Sequence, residues 1–148
     1  MRLTFRPYQA ADQAACLALF DGNTPPYFDP SERPAFESFL ERQACPFFVL
    51  EQNGQVVACG GYCQQDPGEI VLAWGMVQRS LHQRGLGSIL LSKRIEKILQ
   101  DDPRARIVID TSQHSQAFFA RRGFRVSGGT ENYYGPGLHR VDMEYCPK

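Results

Sequence analysis

Hydrophobic and polar positions alternate over residues 2–8 (RLTFRPY), the pattern of a half-buried first strand. The period then changes. Across 10–23 (AADQAACLALFDGN) Cys16, Leu17 and Phe20 fall on one helical face, which Gly22-Asn23 closes. TPPYFDP (24–30) is a proline-broken loop, and SERPAFESFLER (31–42) predicts a second short helix with Ser31 as its N-cap. Two β-rich runs flank Asn53-Gly54, the signal of a hairpin. GEIVLAWGMVQ (68–78) predicts a further strand in which Gly75 marks a bulge or a close backbone approach.

Beyond residue 86, Leu91, Ile95 and Ile98 recur at helical spacing. ARIVIDTS (105–112) is a buried strand, SQAFFARRGF a helix ended by Gly123, and FRVSG another strand. A Gly/Pro turn between Tyr133 and His139 leads into a last strand, HRVDMEYC. The order β-α-α-β-β-β-α-β-α-β-β predicts an α/β fold (α+β in some schemes). Its strands are partly hairpin-linked, so the sheet should be mixed. A chain of 148 residues is long enough for one cored domain and short for two, so 1–148 is read as a single domain.

The stretch HQRGLGS (82–88) places two glycines where strand gives way to helix. Glycine costs about 1 kcal/mol inside a helix. At a helix N-terminus it instead leaves N–H groups free and lets an anion approach the main chain. A P-loop would need a Gly-Lys pair that is absent. A dinucleotide fingerprint would need a third glycine, but position 90 is Leu. VQRSLHQRGLGSILLSKRIEKI instead resembles the pyrophosphate-binding motif of the GNAT N-acetyltransferase superfamily, [Q/R]xxGx[G/A]. Gly85 and Gly87 fall on its small positions, and His82 replaces its Gln/Arg. DTSQHSQAFFARRGF (110–124) resembles the strand–helix segment of the same family that ends in FYxxxGF, with Phe118, Gly123 and Phe124 matching. The element order agrees as well, so the resemblance covers essentially the whole chain.

The resemblance implies an acetyl-CoA-dependent N-acetyltransferase whose two parallel strands splay apart, here those ending near Val77 and Ser112. It implies that Met76 and Val77 give main-chain contacts to pantetheine, and that Gln83, Arg84, Gly85, Leu86, Gly87 and Ser88 cradle the pyrophosphate. Ser112, Phe118 and Phe119 would complete the coenzyme A site. Phe119 stands where the family often carries a tyrosine acid, so the usual proton donor to the leaving thiol is missing. Tyr133, Tyr134 and Ser112 are the hydroxyls that could replace it; the alternative is that the thiolate leaves unaided. Because neighbours on an extended segment point to opposite faces, at most one of the two tyrosines can reach the site. Some relatives carry a carboxylate on the central strand, near Val71 by the glycine motif, and Glu69 shares that face; a solvated strand end is the other reading. Glu131 and His114 are weaker bases, and His114 near a helix start also reads as a cap or surface residue. Tyr27 and Phe28 on the proline loop read as a substrate-side lid. Trp74 is either core or part of the substrate wall.

Composition narrows the classes. Net charge is zero, which argues against wholesale nucleic-acid or membrane binding. Thirteen of the sixteen basic residues are arginine, a bias that suits phosphate or carboxylate but also simple genome composition. His82, His114 and His139 lack metal-ligand spacing, so no metal is expected. Five scattered cysteines form no CxxC pair. They predict free thiols in a reducing cytoplasm, without a disulfide framework. No run resembles a signal peptide or a membrane span. The partners expected are a small-molecule or peptide amine, with room for a homodimer. The rival readings are a coenzyme A-binding module without catalysis and a nucleotide-binding regulatory domain.

Overall fold

The computed structural model describes residues 2–147. Its elements are β1 (Leu3–Pro7), α1 (Gln13–Gly22), α2 (Arg33–Arg42), β2 (Phe47–Gln52), β3 (Gln55–Asp66) and β4 (Glu69–Val77). They continue with α3 (Leu86–Asp101), β5 (Arg106–Ser112), α4 (Gln116–Ala120), β6 (Phe124–Gly135) and β7 (Leu138–Tyr145). The strands form one seven-stranded sheet in the order β1-β2-β3-β4-β5-β7-β6. Every pairing is antiparallel except β4 with β5. This is the mixed α/β architecture and the element order that the sequence pattern predicts.

Side-chain alternation on β2 explains the layers. Phe47 and Val49 join Phe20, Phe36 and Leu40 of α1 and α2 on one face. Phe48 packs on the other face with Leu91 and Ile98 of α3, and Leu50 with Leu86 and Leu90 of the same helix. Asn23, 2% exposed, follows α1 and donates from Nδ2 to Leu19 O (2.8 Å) and Val77 O (2.9 Å). That bond ties the end of α1 to the end of β4.

Four local expectations change. The cap before α2 is Asp29, not Ser31: its carboxylate accepts from the Ser31 N–H at 3.0 Å. A 3₁₀ turn (Pro30–Glu32) then precedes the helix, with proline at its first position. The helix after β5 is only Gln116–Ala120. β6 runs for twelve residues rather than five, leaving Pro136-Gly137 as the turn. Finally, Cys45 and Cys63 are disulfide-bonded, with Cα atoms 5.2 Å apart. Extending the Phe47–Gly61 register outward puts Cys45 opposite Cys63, so hairpin geometry brings together residues 18 apart. Cys16, Cys59 and Cys146 are free thiols.

Gly61 stands beside this crossing. A Cβ there would lie 2.1 Å from Pro46 O and 2.9 Å from Phe47 Cα, both backbone atoms that the Tyr62 N–H to Pro46 O bond holds in place. Gly61→Ala should therefore destabilise the protein by about 3 kcal/mol, the upper end of overpacking costs. Urea unfolding measures this; a midpoint equal to wild type would mean that the strand yields.

Candidate active site

β4 and β5 pair over only three positions, Glu69–Arg106, Ile70–Ile107 and Val71–Val108. Beyond them β4 stays with β3 and β5 stays with β7, so the two inner edges diverge. The divergence has a local cause on β4. Its register against β3 slips between Cys59 and Gly61, and Trp74 takes φ 51°, a left-handed bulge followed by Gly75. Backbone N–H and C=O groups facing the gap lack a strand partner and need another. The gap widens into a cleft of about 850 Å³.

One end of the cleft is the glycine turn. Gly85, at φ +84°, occupies the N-cap of α3, and among the described residues no side chain caps that helix. The first-turn N–H groups therefore have no capping side chain to bond, which makes this helix end a ready anion cradle. Gly87 serves packing: a Cβ there would sit 3.2 Å from the Phe118 ring. Gln83, Gly85, Gly87 and Ser88 line the cleft, Leu86 is buried in the core and Arg84 is exposed outside the lining. His82, where the resemblance expects Gln or Arg, bonds through Nε2 to Val77 O at 3.0 Å. Val77 O thus already has two side-chain partners, Asn23 and His82. Met76 also borders the cleft, while its side chain is buried against α1 and α2.

These features suit coenzyme A: an uncapped helix N-terminus for phosphate, and an unpaired strand edge for an amide chain. Ser112 is buried, and its Oγ accepts from the His114 N–H at 3.3 Å, shaping the turn into α4. Phe118 and Phe119 form the wall below, with Phe119 packed on Phe118 and Phe124 at 5.1 and 5.4 Å between ring centroids.

Another stretch of the lining is acidic and aromatic. Tyr134 donates its hydroxyl to Asp110 Oδ2 at 2.6 Å, and both line the cleft with Glu32. Burial, with the Asp110 hydrogen bond and charge, holds the Tyr134 phenol well above its ordinary value, so it stays protonated. Burial also pushes the Glu32 carboxyl up, opposed by the Asp29 N–H it accepts and helped by the charges of Asp29 and Asp110. Phe28 and Trp74 form the wall at 6.1 Å between centroids, and Tyr27 leans edge-on to His82 at 5.1 Å and to His114 at 6.1 Å. Tyr27, Phe28 and Trp74 all border the cleft, and Trp74 also packs in the core below α2.

Two proposed catalytic residues lie elsewhere. Tyr133 is 56% exposed, its ring under the Arg140 guanidinium at 4.8 Å, and it does not line the cleft. Glu69 sits at the closed end of the splay, bonded to Arg106 and Gln65, also outside the lining. Pairing at the start of the parallel ladder explains its place. Sequence reasoning missed Asp110, Glu32 and Arg94, all of which line the cleft. Among the described residues no group of three His, Cys, Asp or Glu could hold a metal, and no helix is long and apolar enough to cross a membrane.

The acetyltransferase (GNAT) family model matches residues 15–124. No curated protein matches the chain by sequence. Among solved structures, a GNAT-family protein of Desulfovibrio desulfuricans is similar at TM-score 0.83 and 16% identity, covering 97% of this chain and 98% of that one. The ribosomal-protein-S18-alanine N-acetyltransferase of Escherichia coli gives TM-score 0.80 at 19% identity, covering 99% and 96%. A Salmonella typhimurium acetyltransferase solved with acetyl-CoA gives 0.72 at 20%, covering 97% and 93%. At these identities the likeness is one of fold.

Proposed function

Because this chain belongs to the GNAT family of acetyltransferases, we propose that it moves the acetyl group of acetyl-CoA to a primary amine by direct attack, residues 1–148 acting as one domain. The observation that carries this reading is the continuity of one cleft from the glycine turn, past the splayed edges, to Asp110, Glu32 and Tyr134. The acceptor, a small molecule or a peptide end, enters at this acidic stretch as an ammonium, drawn by Asp110 and Glu32 and flanked by Phe28 and Trp74. Asp110 takes one proton from the ammonium, which frees the nitrogen lone pair to attack, and the second nitrogen proton, shed once the C–N bond has formed, leaves to solvent. The N–H groups of the α3 first turn hold the pyrophosphate, and a β4 N–H near Met76 faces the carbonyl oxygen.

Tyr134 completes the proton path. Its hydroxyl proton goes to the departing sulfur, and the proton held on Asp110 refills the phenolate across their 2.6 Å bond. The amine proton thereby reaches the thiol with no net change in either residue. Tyr134→Phe should lower kcat about tenfold or more with acetyl-CoA affinity unchanged, while Tyr133→Phe leaves kcat at wild type. Steady-state kinetics on both variants tests the relay. Equal kcat in all three proteins across the pH range would remove Tyr134 from the chemistry.

A further inference from the structure

Arg94 lies on the buried stripe of α3, three residues after Leu91 and four before Ile98, yet it is only 3% exposed. Its guanidinium reaches under the sheet to the backbone of β3 and β4. A Cβ on Gly75 would lie 2.7 Å from Arg94 Nη2, and one on Gly60 3.1 Å from Arg94 Cζ. The two glycines thus make the room that this group fills.

Its charge is uncompensated. Nη1 donates to Gly61 O at 3.2 Å, Nε is buried with no acceptor, and no carboxylate pairs with it among the described residues. The titratable group facing it is Cys59 of β3, whose thiol burial pushes well up, keeping it neutral. Burial lowers the Arg94 pKa to about 10, so the group is still a cation at neutral pH. An unpaired buried cation is costly unless an anion meets it. Arg94 lines the cleft beside Gly75, where the β4 edge is open.

The position matters because Phe119 offers no hydroxyl to the leaving group. We propose that Arg94 is a catalytic residue whose buried guanidinium, packed on Gly75, stabilises the negative charge on the coenzyme A sulfur as it departs. This rests on the acetyl-transfer reading above. The amine lone pair forms the C–N bond, the C–S bond breaks with its electron pair on sulfur, and the proton lost by the amine finally neutralises that sulfur. Arg94 gives no proton; it lowers the energy of the thiolate until the proton arrives.

The test is the ionisation of the thiol of bound coenzyme A, read as thiolate ultraviolet absorbance during a pH titration. The desulfo-coenzyme A complex is subtracted to remove the protein's own thiols. A cation within about 4–6 Å lowers an acid's pKa by about 1–3 units. Bound coenzyme A should titrate at least about one unit below the free thiol in the wild type and in Arg94→Lys. Arg94→Met, apolar and of similar length, should lose that shift and at least about tenfold in kcat, with coenzyme A affinity within about threefold. A wild-type shift absent, or one that persists in Arg94→Met, overturns the proposal. The titration needs no acceptor, so a shift that Arg94→Met removes, in a protein that acetylates no amine, sinks the amine reading alone. Turnover without any shift sinks the Arg94 role alone, and failure of coenzyme A to bind sinks both.

Discussion

Asp110→Asn is expected to lower kcat by about a hundredfold or more, the range lost with a general base, while acetyl-CoA binds as before. Asparagine keeps the shape and can still accept from the Tyr134 hydroxyl, whose 2.6 Å bond holds that corner of the cleft. What disappears is the negative charge that attracts an ammonium and the site that takes its proton. Asp110 lies beyond the last β4–β5 pair, on the stretch where β5 is bonded to β7 alone. Its side chain lines the cleft, with the charge of Arg140 nearby. Glu32→Gln should do less, because Glu32 also accepts from the Asp29 N–H at 2.9 Å and its carboxyl already holds its proton more tightly than usual. Rates at rising pH separate the two roles of Asp110. If the loss in Asp110→Asn shrinks as the free amine becomes abundant, proton removal is the larger part. A wild-type kcat in this variant would move the base elsewhere.

Gly85→Val should raise the dissociation constant of coenzyme A more than tenfold. Nothing lies within 4 Å of a Cβ at this position, so crowding by the protein is not the reason. The backbone is: φ +84° is a left-handed conformation that a β-branched residue adopts only with strain. Valine would pull the turn toward ordinary dihedrals, misalign the first N–H groups of α3 and put methyls where a phosphate must come close. The rest of the helix is held by Leu86, Leu90, Leu91 and Ile98 in the core, so the fold should survive. Calorimetric titration with coenzyme A checks the affinity, and a circular dichroism melt checks the fold. A folded variant with wild-type affinity would detach the glycine turn from the cofactor.

Strand β2 shows what pattern reading reaches. Phe47 and Val49 against Phe48 and Leu50 announce two packed faces, and both faces are filled. β6 shows where it fails. Residues 125–133 are exposed throughout, so the strand exists through its ladder with β7 rather than through buried side chains, and no alternation betrays it. The disulfide was hidden for a related reason: Cys45 and Cys63 meet only once the β2–β3 register is known. The Asp29 cap did carry a signal, the proline immediately after it.

At the site, the glycine turn was legible because glycine is the residue that its backbone demands. The acidic stretch was not, since Asp110 looks like one polar residue in an apolar run until the splay opens beside it. Glu69 misled for the opposite reason: its place on the central strand is right, but the ladder begins there and Arg106 takes it. Arg94 carried a clue of its own, a charge on the apolar stripe of α3. That clue becomes chemistry only when Gly60 and Gly75 are seen to clear a path for it.

The measurement closest to the central claim is acetyl transfer itself. The protein is incubated with acetyl-CoA labelled in the acetyl group and a panel of primary amines, among them small amines and peptides with free N-termini. Thiol release and product mass are followed together. The account predicts thiol released in step with an amine product that carries one labelled acetyl group, lost in Asp110→Asn. Tight coenzyme A binding with no acetylated amine across the panel and no amine-dependent thiol release would contradict it.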